Sequence, residues 1–382
     1  MEAFFNILSV RICLVIFYLL GISAMCLYAE KRCFYDFDTV LYTACALEGS
    51  GTAPDKIHQE TYHLVRRDLG PSRFMQLTDT TNNYRSSLFN NSANFKSQLP
   101  FYRIKVFYVW LLSRAIKAQV SPIYFSTLLN IICYLGLSVI LILYFTKQSG
   151  FLMGYTASLC TMLLPMLTST LRSNSPDMLT TLLVVGSLLL LLSQNLLYRY
   201  FSLPVILLLI FTRPENSTFV LCFGLYVFFS KPSDYTRSFA SILILIPLMS
   251  YLLLIFFYKP YPWTLLYRHS FLGYIANVQN SSLGLSFQEY VLGFRFLAGS
   301  VLYSDFFMMI FLLLTVLFYK GKQNSRLSVF AKTILLSLIV RVLLFPDLSS
   351  RFFSGFFIIS VVLFLRQFSY LNKGGLRAIS AE

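Results

Sequence analysis

The segment Cys33-Phe-Tyr-Asp36-Phe-Asp38-Thr-Val-Leu-Tyr42-Thr-Ala44 opens the first long hydrophilic stretch of the chain, residues 30–104. One long apolar segment precedes this stretch, and apolar helix-forming sequence with short polar turns follows it. The stretch carries eight of the sixteen carboxylates of the chain. Because a charge in a bilayer is costly unless it is solvated or paired, we predict that this loop forms the head of a functional site above a helical scaffold.

The composition of the chain is that of a membrane protein. Of its 382 residues, 57% are hydrophobic and only 12% are charged, about half the charged fraction of a soluble domain. The formal charge of +15 is most simply explained by Lys and Arg on cytoplasmic loops. An anionic lipid or phosphate partner is the second explanation. A nucleic-acid partner is not expected.

We predict an all-α, polytopic integral membrane protein that forms a single membrane domain over residues 1–382. Its apolar runs predict about ten transmembrane helices, within a range of roughly nine to eleven. The expected spans are 4–28, 123–145, 151–170, 178–197, 203–212, 219–229, 239–258, 306–319, 329–345 and 352–368. Residues 29–117 are expected to form a first extracytoplasmic loop with interfacial helices, including the aromatic stretch 105–117.

The distribution of charge predicts the orientation. One set of short loops and tail residues is almost purely basic: Lys147, Arg199, Lys231, Arg237, Lys320, Lys322, Arg326, Lys373 and Arg377. By the positive-inside rule this set is cytoplasmic. Apart from Glu2, Asp234 and Glu382, every carboxylate then lies on the opposite side. We therefore expect a multi-pass protein of the cytoplasmic (inner) membrane with both termini in the cytoplasm.

Asp36 and Asp38 are the first candidate site residues. They alternate with Tyr35 and Phe37, so in an extended chain both carboxylates share one face. Such a pair at the membrane surface suits a general base or a metal ligand, although a solvated interfacial turn has the same composition. We favour Asp38 as the base because Tyr42 and the residues after it continue into a helical pattern.

Further charged residues lie where the loop and the spans end. Lys105 and Arg103 suit either contact with a lipid phosphate or anchoring at the interface, and anchoring is favoured for Arg103. Asp177 suits either a substrate-binding role or an ordinary helix start. Arg213 and Glu215 lie at membrane depth, where they either pair with each other or face a cavity.

Two arginines near the C-terminus need a compensating anion. Arg341 interrupts an apolar run, so either Asp347 or a ligand phosphate must balance it. Arg351 follows at the start of the last span, and spacing alone does not tell which arginine meets phosphate. Few acids are close to these basic residues in the sequence, which favours a bound anion. His58, His63 and His269 are too dispersed to indicate a metal site, and no nucleotide-binding motif is present.

Two of these motifs resemble the GT-C superfamily, the polytopic glycosyltransferases that use polyprenyl-phosphate sugars, such as protein O-mannosyltransferases and aminoarabinose transferases. Asp38-Thr-Val-Leu-Tyr42 is similar to the family's D-E-x-x-Y motif after the first span, with the second acid missing and Asp36 as its only stand-in. Lys105-Val-Phe-Tyr108-Val-Trp110 is similar to the K-P-P-L-Y-Y-W segment that closes the first outer loop, without its prolines.

The resemblance extends over residues 1–230. The family has an Asp at the start of its fourth span and a basic turn between the fifth and sixth, where this chain has Asp177 and Arg213. Residues 231–382 correspond to the variable C-terminal helices. The roles of Arg341 and Arg351 therefore rest on the physical argument alone.

The resemblance implies an inverting glycosyltransferase at the outer membrane face. Asp38 would deprotonate an acceptor hydroxyl on a lipid, glycan or protein, while Lys105 and the arginines would hold the phosphate of the polyprenyl carrier. No cofactor is implied; a divalent metal is used by some members of the family, and the missing second acid favours none here. The alternatives are a lipid-linked oligosaccharide flippase or transporter, and a polymerase or ligase of surface polysaccharide.

Overall fold

A computed structural model describes residues 2–79, 81–230, 232, 234–278, 281–301, 305–318 and 325–379. These residues form nineteen α-helices and one isolated β-bridge, without a strand. The expected all-helical fold is therefore confirmed. Of the residues used in the charge argument, Lys231, Lys320, Lys322 and Glu382 lie outside the described residues, as do the side chains of Glu2, Lys373 and Arg377.

The first apolar helix and the hydrophilic loop together contain seven helices. These are α1 (Glu2–Lys31), α2 (Phe37–Ser50), α3 (Ile57–Leu77), α4 (Asn83–Asn90), α5 (Ser92–Gln98), α6 (Pro100–Arg103) and α7 (Val106–Lys117). The loop has a core of its own, in which Phe37, Leu41, Ile57, Tyr62 and Phe95 are buried. The stretch is therefore a folded helical unit, and α7 is the short apolar-aromatic helix expected at its close.

The remaining helices form the apolar body of the protein and a second polar loop. They are α8 (Pro122–Ser149), α9 (Phe151–Met162), α10 (Pro165–Arg172), α11 (Asp177–Leu191), α12 (Leu196–Thr212), α13 (Ser217–Ser230), α14 (Arg237–Tyr258), α15 (Trp263–Phe271), α16 (Phe287–Val301), α17 (Phe306–Phe318), α18 (Ser325–Leu344) and α19 (Ser354–Ile379). The second loop, which contains α15 and α16, packs on the first: Gln98 Nε2 donates to the carbonyls of Ile275 (2.9 Å) and Ala276 (3.0 Å).

Within the described residues, four helices are long and apolar enough to cross a membrane by themselves: Val10–Lys31, Pro122–Ser149, Arg237–Tyr258 and Arg326–Leu344. The pair Phe151–Met162 and Pro165–Arg172, bent by 55°, makes a fifth if it is one broken span. Length and composition thus support a membrane protein with four or five such spans, not the expected ten.

The difference has a local cause. Four other apolar helices, including Asp177–Leu191 and Leu196–Thr212, have only 10–17 residues. At about 1.5 Å per residue they reach at most about 26 Å, less than the roughly 30 Å of a bilayer core. The expected span 178–197 ends at Leu191 because polar residues follow it, and Asn195 Oδ1 accepts from Leu197 N (2.9 Å) to cap the next helix.

A short backbone pairing positions the segment after α1. Phe34 N donates to Arg172 O (2.8 Å) and Asn174 N donates to Phe34 O (3.1 Å). The turn that leads into α11 is held in place by Asn174, whose Nδ2 donates to Ile123 O (3.0 Å) and to Thr127 Oγ1 (3.2 Å). The start of the hydrophilic loop and the start of α11 are therefore adjacent, although about 140 residues separate them in the chain.

Polar residues also meet at the opposite ends of several helices. Arg326 Nε donates to Asp234 Oδ2 (3.1 Å), and Arg199 Nη1 donates to the Asp234 carbonyl. Tyr235 Oη donates to Leu191 O at the end of α11 (2.9 Å). Helix α11 thus runs from a cluster that contains Asp177 to one that contains Asp234, so the body of the protein has two polar ends.

Candidate active site

A cavity of about 680 Å³ opens at the end of the body that carries the first loop. Its lining comes from the start of α2, the α4–α6 region, the α10–α11 turn, the second polar loop and the segment before α19. The lining residues are Phe34, Asp36, Phe37, Asp38, Asn82, Tyr84, Arg85, Tyr102, Ser169, Arg172, Ser173, His269, Tyr274, Ser349, Ser350 and Arg351. Both carboxylates of the opening sequence motif therefore face one cavity.

Asp36 precedes α2 in extended backbone, and its side chain makes no cap hydrogen bond to that helix. Its Oδ2 instead accepts from Arg351 Nη1 (3.2 Å). Its Oδ1 is buried and accepts no hydrogen bond from the described residues. Burial, together with the neighbouring Asp38 carboxylate, raises the pKa of Asp36 to about 7, although Arg351 lowers it. Asp36 can therefore gain or lose a proton near neutral pH.

Asp38 lies in the first turn of α2, where the positive end of the helix dipole favours its negative charge. Its Oδ1 accepts a short hydrogen bond from Tyr102 Oη (2.6 Å). Tyr102 belongs to α6, which begins at Pro100. The carboxylate is thus held in a fixed orientation while it remains part of the cavity lining. A carboxylate held in this way can accept a proton from a bound hydroxyl.

A chain of ion pairs connects the cavity to the buried start of α11. Arg351 Nε lies 3.8 Å from Asp177 Oδ2, and Arg213 Nη2 is paired with Asp177 Oδ1. Arg213 Nη1 also contacts Glu215 Oε1 (2.8 Å). The Asp177 side chain is fully buried and that of Arg213 is 8% exposed. Loss of one partner of such a buried pair usually destabilises a fold by about 3–5 kcal/mol.

Lys105 lies behind the cavity wall and is not among the lining residues. Its Nζ donates to Phe101 O (3.2 Å) and lies over the rings of Tyr102 (4.9 Å) and Tyr42 (5.5 Å). Burial lowers the pKa of Lys105, and the neighbouring carboxylates, Glu215 foremost, oppose that shift. In the structure its charge is balanced by aromatic faces and by nearby acids.

Arg341 is buried, whereas Arg351 lines the cavity. Arg341 Nη1 donates to Phe352 O (3.2 Å), and its guanidinium lies over the rings of Phe353 (4.7 Å) and Phe352 (5.3 Å). It forms no ion pair with Asp347, whose Oδ1 accepts from Ser349 N (2.8 Å). The sequence left open which arginine meets a ligand, and only Arg351 is placed to do so directly.

Arg103 points away from the cavity. It forms a two-pronged ion pair with Glu48, at 2.5 Å from Nε and 2.6 Å from Nη2. Two adjacent residues therefore face different regions, since Tyr102 lines the cavity and Arg103 does not. This pairing accounts for the charge of Arg103 without a ligand, and the phosphate contact named as the second option for Arg103 stays a prediction.

The expectation that few acids lie close to the basic residues is wrong. Arg213 contacts two carboxylates, and Arg351 contacts Asp36 and Asp177. Burial alone would raise the pKa of Glu215, but the surrounding cations, Arg213 first, lower it. Glu215 is two residues from Arg213, but Asp36 and Asp177 come from separate turns that meet the arginines only when the helices pack, so those contacts are not visible in the sequence. A bound anion is not needed to balance these charges.

Three basic residues of the cavity lining, Arg85, Arg172 and His269, were not among the predicted site residues. Arg85 and Arg172 bind backbone carbonyls, Gln76 O at 2.7 Å and Arg32 O at 2.8 Å, and have no carboxylate in those contacts. With Arg351, the lining contains three arginines and two aspartates, which gives it a formal net charge of +1. The available signal for Arg172 was its position five residues before Asp177, at the turn that leads into α11.

His269 is the third. Burial lowers the pKa of His269 to about 4, so the ring is neutral at physiological pH. Its Nδ1 accepts from Ile275 N (3.1 Å), so Nε2 carries the proton. It lies beside the ring of Tyr84 (5.6 Å), which stacks on Tyr274 (5.0 Å). These aromatic rings form one wall of the cavity.

No group of three or more His, Cys, Asp or Glu side chains suited to a metal ion occurs in the part of the chain that the structure describes. Comparison with known protein families, with curated protein sequences and with solved structures gave no match.

Proposed function

We propose that this protein is a membrane glycosyltransferase that moves a sugar from a polyprenyl-phosphate carrier to a hydroxyl acceptor, with inversion, at the outer face of the cytoplasmic membrane. The observation that carries the proposal is one cavity that contains two carboxylates together with three arginines. This combination suits a reaction in which a hydroxyl loses a proton and a phosphate departs.

In the proposed reaction the acceptor oxygen attacks the anomeric carbon while Asp38 accepts its proton. The bond between that carbon and the phosphate oxygen breaks, and its electron pair leaves with the polyprenyl phosphate. Arg351, with Arg85 and Arg172, stabilises the negative charge of the leaving phosphate. The hydrogen bond from Tyr102 to Asp38 keeps the base oriented.

The remaining predicted residues take supporting roles in the proposal. Asp36 sets the position of Arg351, and Asp177 holds Arg351 and Arg213 from behind. Lys105, Glu215 and Arg341 shape the field of the site from beneath its wall.

The proposed orientation places the first loop outside and both termini in the cytoplasm. It is supported by the two polar ends of the helical body. The end with Asp234, Arg199 and Arg326 matches the basic loops assigned to the cytoplasm. The end with Asp36 and Asp177 matches the acidic set assigned to the outer side.

The test uses the purified protein in lipid nanodiscs with a panel of polyprenyl-phosphate sugars and hydroxyl acceptors. We expect protein-dependent release of free polyprenyl phosphate together with a glycosylated acceptor. Asp38→Asn should lower the rate by about 100-fold or more, because it removes proton acceptance and keeps the shape of the side chain. Asp36→Asn should cost less, since it removes only the partner of Arg351.

The matched control is Asp55→Asn, an exposed carboxylate on the same loop that does not line the cavity. It should leave the rate unchanged. Activity that survives Asp38→Asn and is lost with Asp36→Asn would show that the base is Asp36. Transbilayer movement of the intact carrier without sugar transfer would contradict the enzyme and support the transporter alternative.

A further inference from the structure

A second cavity, of about 620 Å³, lies on the other side of the wall formed by α2 and α6. Helix α2 contributes Asp38 to the first cavity and Glu48 to the second, ten residues or about 15 Å further along the helix. The short helix α6 likewise gives Tyr102 to the first and Arg103 to the second. The second cavity is therefore separate from the candidate active site.

The charge in this cavity is unbalanced. Glu48 is fully engaged by Arg103 through two hydrogen bonds, at 2.5 and 2.6 Å. Arg114 and Lys117, in the last turn of α7, also line the cavity. Both are exposed, and no ion pair among the described residues includes either of them. Two positive charges without a carboxylate partner thus line this cavity.

An apolar surface that faces outward adjoins these cations, and the Arg114 guanidinium lies over the Trp110 ring (5.3 Å). Trp110, 48% exposed, and Phe257, 66% exposed, belong to its lining. Phe257 is in the last turn of α14, one of the four helices long and apolar enough to cross a membrane. The cavity therefore lies at the end of a spanning segment, the depth at which lipid headgroups lie.

We propose that this second cavity binds an anionic phospholipid of the bilayer. The phosphate lies between Arg114 and Lys117, and one acyl chain lies along Trp110 and Phe257. Two cations beside an apolar wall that continues onto a membrane helix fit an anionic amphiphile, whereas free phosphate would leave the apolar wall uncovered. A zwitterionic phospholipid brings no net charge to balance the cations.

The experiment uses the position of the two tryptophans in the chain. Trp263 lies elsewhere and donates from Nε1 to Leu344 O (2.8 Å), so a W263F variant leaves Trp110 as the only tryptophan. Its fluorescence is measured in nanodiscs in which brominated phosphatidylglycerol or brominated phosphatidylcholine replaces a small share of the lipid. We expect the brominated phosphatidylglycerol to quench Trp110 at a several-fold lower mole fraction.

The test variant is R114Q/K117Q in the W263F protein, and the control is K31Q/R32Q, two exposed cations at the end of α1 that line neither cavity. Removal of the cavity cations should lower the preference for the anionic lipid by roughly fivefold per charge, and the control should keep that preference.

Equal quenching by the two lipids, or equal loss of the preference in both double variants, would overturn the proposal. So would complete displacement of phosphatidylglycerol by a prenyl phosphate, since the cavity would then belong to the carrier. Circular dichroism and a monodisperse elution profile confirm folding of each variant.

Discussion

The protonation state of Asp36 determines how strongly this carboxyl group holds Arg351. A proton on Asp36 frees Arg351 from its closest carboxylate, the contact at 3.2 Å. The pKa of Asp36 is raised from 3.8 to about 7 by burial and by Asp38. The freedom of Arg351 to bind an anion should therefore change near neutral pH.

We expect a sugar-phosphate diester carrier, whose charge is constant in this range, to bind more weakly as the pH rises through about 7. Ionised Asp36 then competes for Arg351. Asp36→Asn should flatten the dependence, which binding measurements between pH 5.5 and 8.5 would check.

The stability of the fold should change with pH in the same direction. The pKa of Asp36 is raised in the folded state, so its contribution to the free energy of unfolding is complete below about pH 3.8 and is lost as the pH rises through about 7. A dependence that survives in Asp36→Asn would assign it to another group.

Arg351 and Arg341 should respond differently to neutral replacement. Arg351→Gln removes a cavity cation and should weaken prenyl-phosphate binding by about 10- to 100-fold. Arg341→Gln removes a buried bond to Phe352 O and should lower the free energy of unfolding by about 1–3 kcal/mol. Affinity per folded molecule should then be unchanged. The measurement is binding to purified, folded variants beside thermal unfolding, with exposed Arg66→Gln as control. Loss of affinity in Arg341→Gln alone would contradict the assignment.

At the scale of elements, Gln98 makes hydrogen bonds from α5 that join the two polar loops, beside those of Ser97. Gln98, at the end of α5, is completely buried. Its Nε2 donates to two carbonyls of the second loop, and its Oε1 accepts from Tyr84 Oη (3.2 Å). The Gln98 amide thus helps to position the aromatic cavity wall, together with the Ser97 hydroxyl and the ring of Phe101, which stacks on His269 (5.1 Å).

We expect Gln98→Ala to loosen the second loop without unfolding the helical body. It leaves buried polar groups without partners, which costs about 1–3 kcal/mol. Hydrogen exchange should rise at residues 274–278 and stay unchanged in α8. Asn90→Ala, an exposed amide with a single side-chain bond to Ser86 Oγ (3.2 Å), is the matched control. Equal exchange in both variants would show that other contacts hold the loop.

At the scale of the whole molecule, the two polar ends define a direction. Helix α11 is too short to cross a bilayer core by length alone, yet it connects the cluster around Asp177 with the one around Asp234. Helix α12 likewise has Arg199 near the Asp234 cluster at one end and Arg213 near the Asp177 cluster at the other. Length alone therefore gives an incomplete account of which helices connect the two faces.

We expect a reporter inserted after Asp79 to be active outside and a reporter fused to the C-terminus to be active in the cytoplasm, since basic loops are retained there. Paired reporters that are active in opposite compartments measure this directly. Removal of Arg199 and Arg326 together should reduce the bias. A cytoplasmic signal from the position after Asp79 would contradict the whole orientation, including the outward-facing cavity.

The sequence by itself indicated a membrane protein, an all-helical fold and a folded hydrophilic loop after the first apolar helix. These features depend on local hydropathy and on charges within a few residues of each other, and both are visible in the amino-acid sequence. The sequence also predicted that Asp36 and Asp38 would share a face, and in the structure both line one cavity. It overestimated the number of long spans because a single polar turn, such as Ser193 to Asn195, ends a helix within an apolar run.

Only the tertiary structure decided which charges meet. Arg351 and Asp36 are 315 residues apart, and no local pattern encodes that contact. It arises because the Phe34 pairing brings the start of the loop to the turn before α11, while the start of α19 packs beside that turn. Packing also buried Arg341, paired Arg103 with Glu48 and brought Arg172 and His269 into the cavity. Each outcome depends on contacts between distant helices, and the free energy of those contacts appears only when the chain is folded.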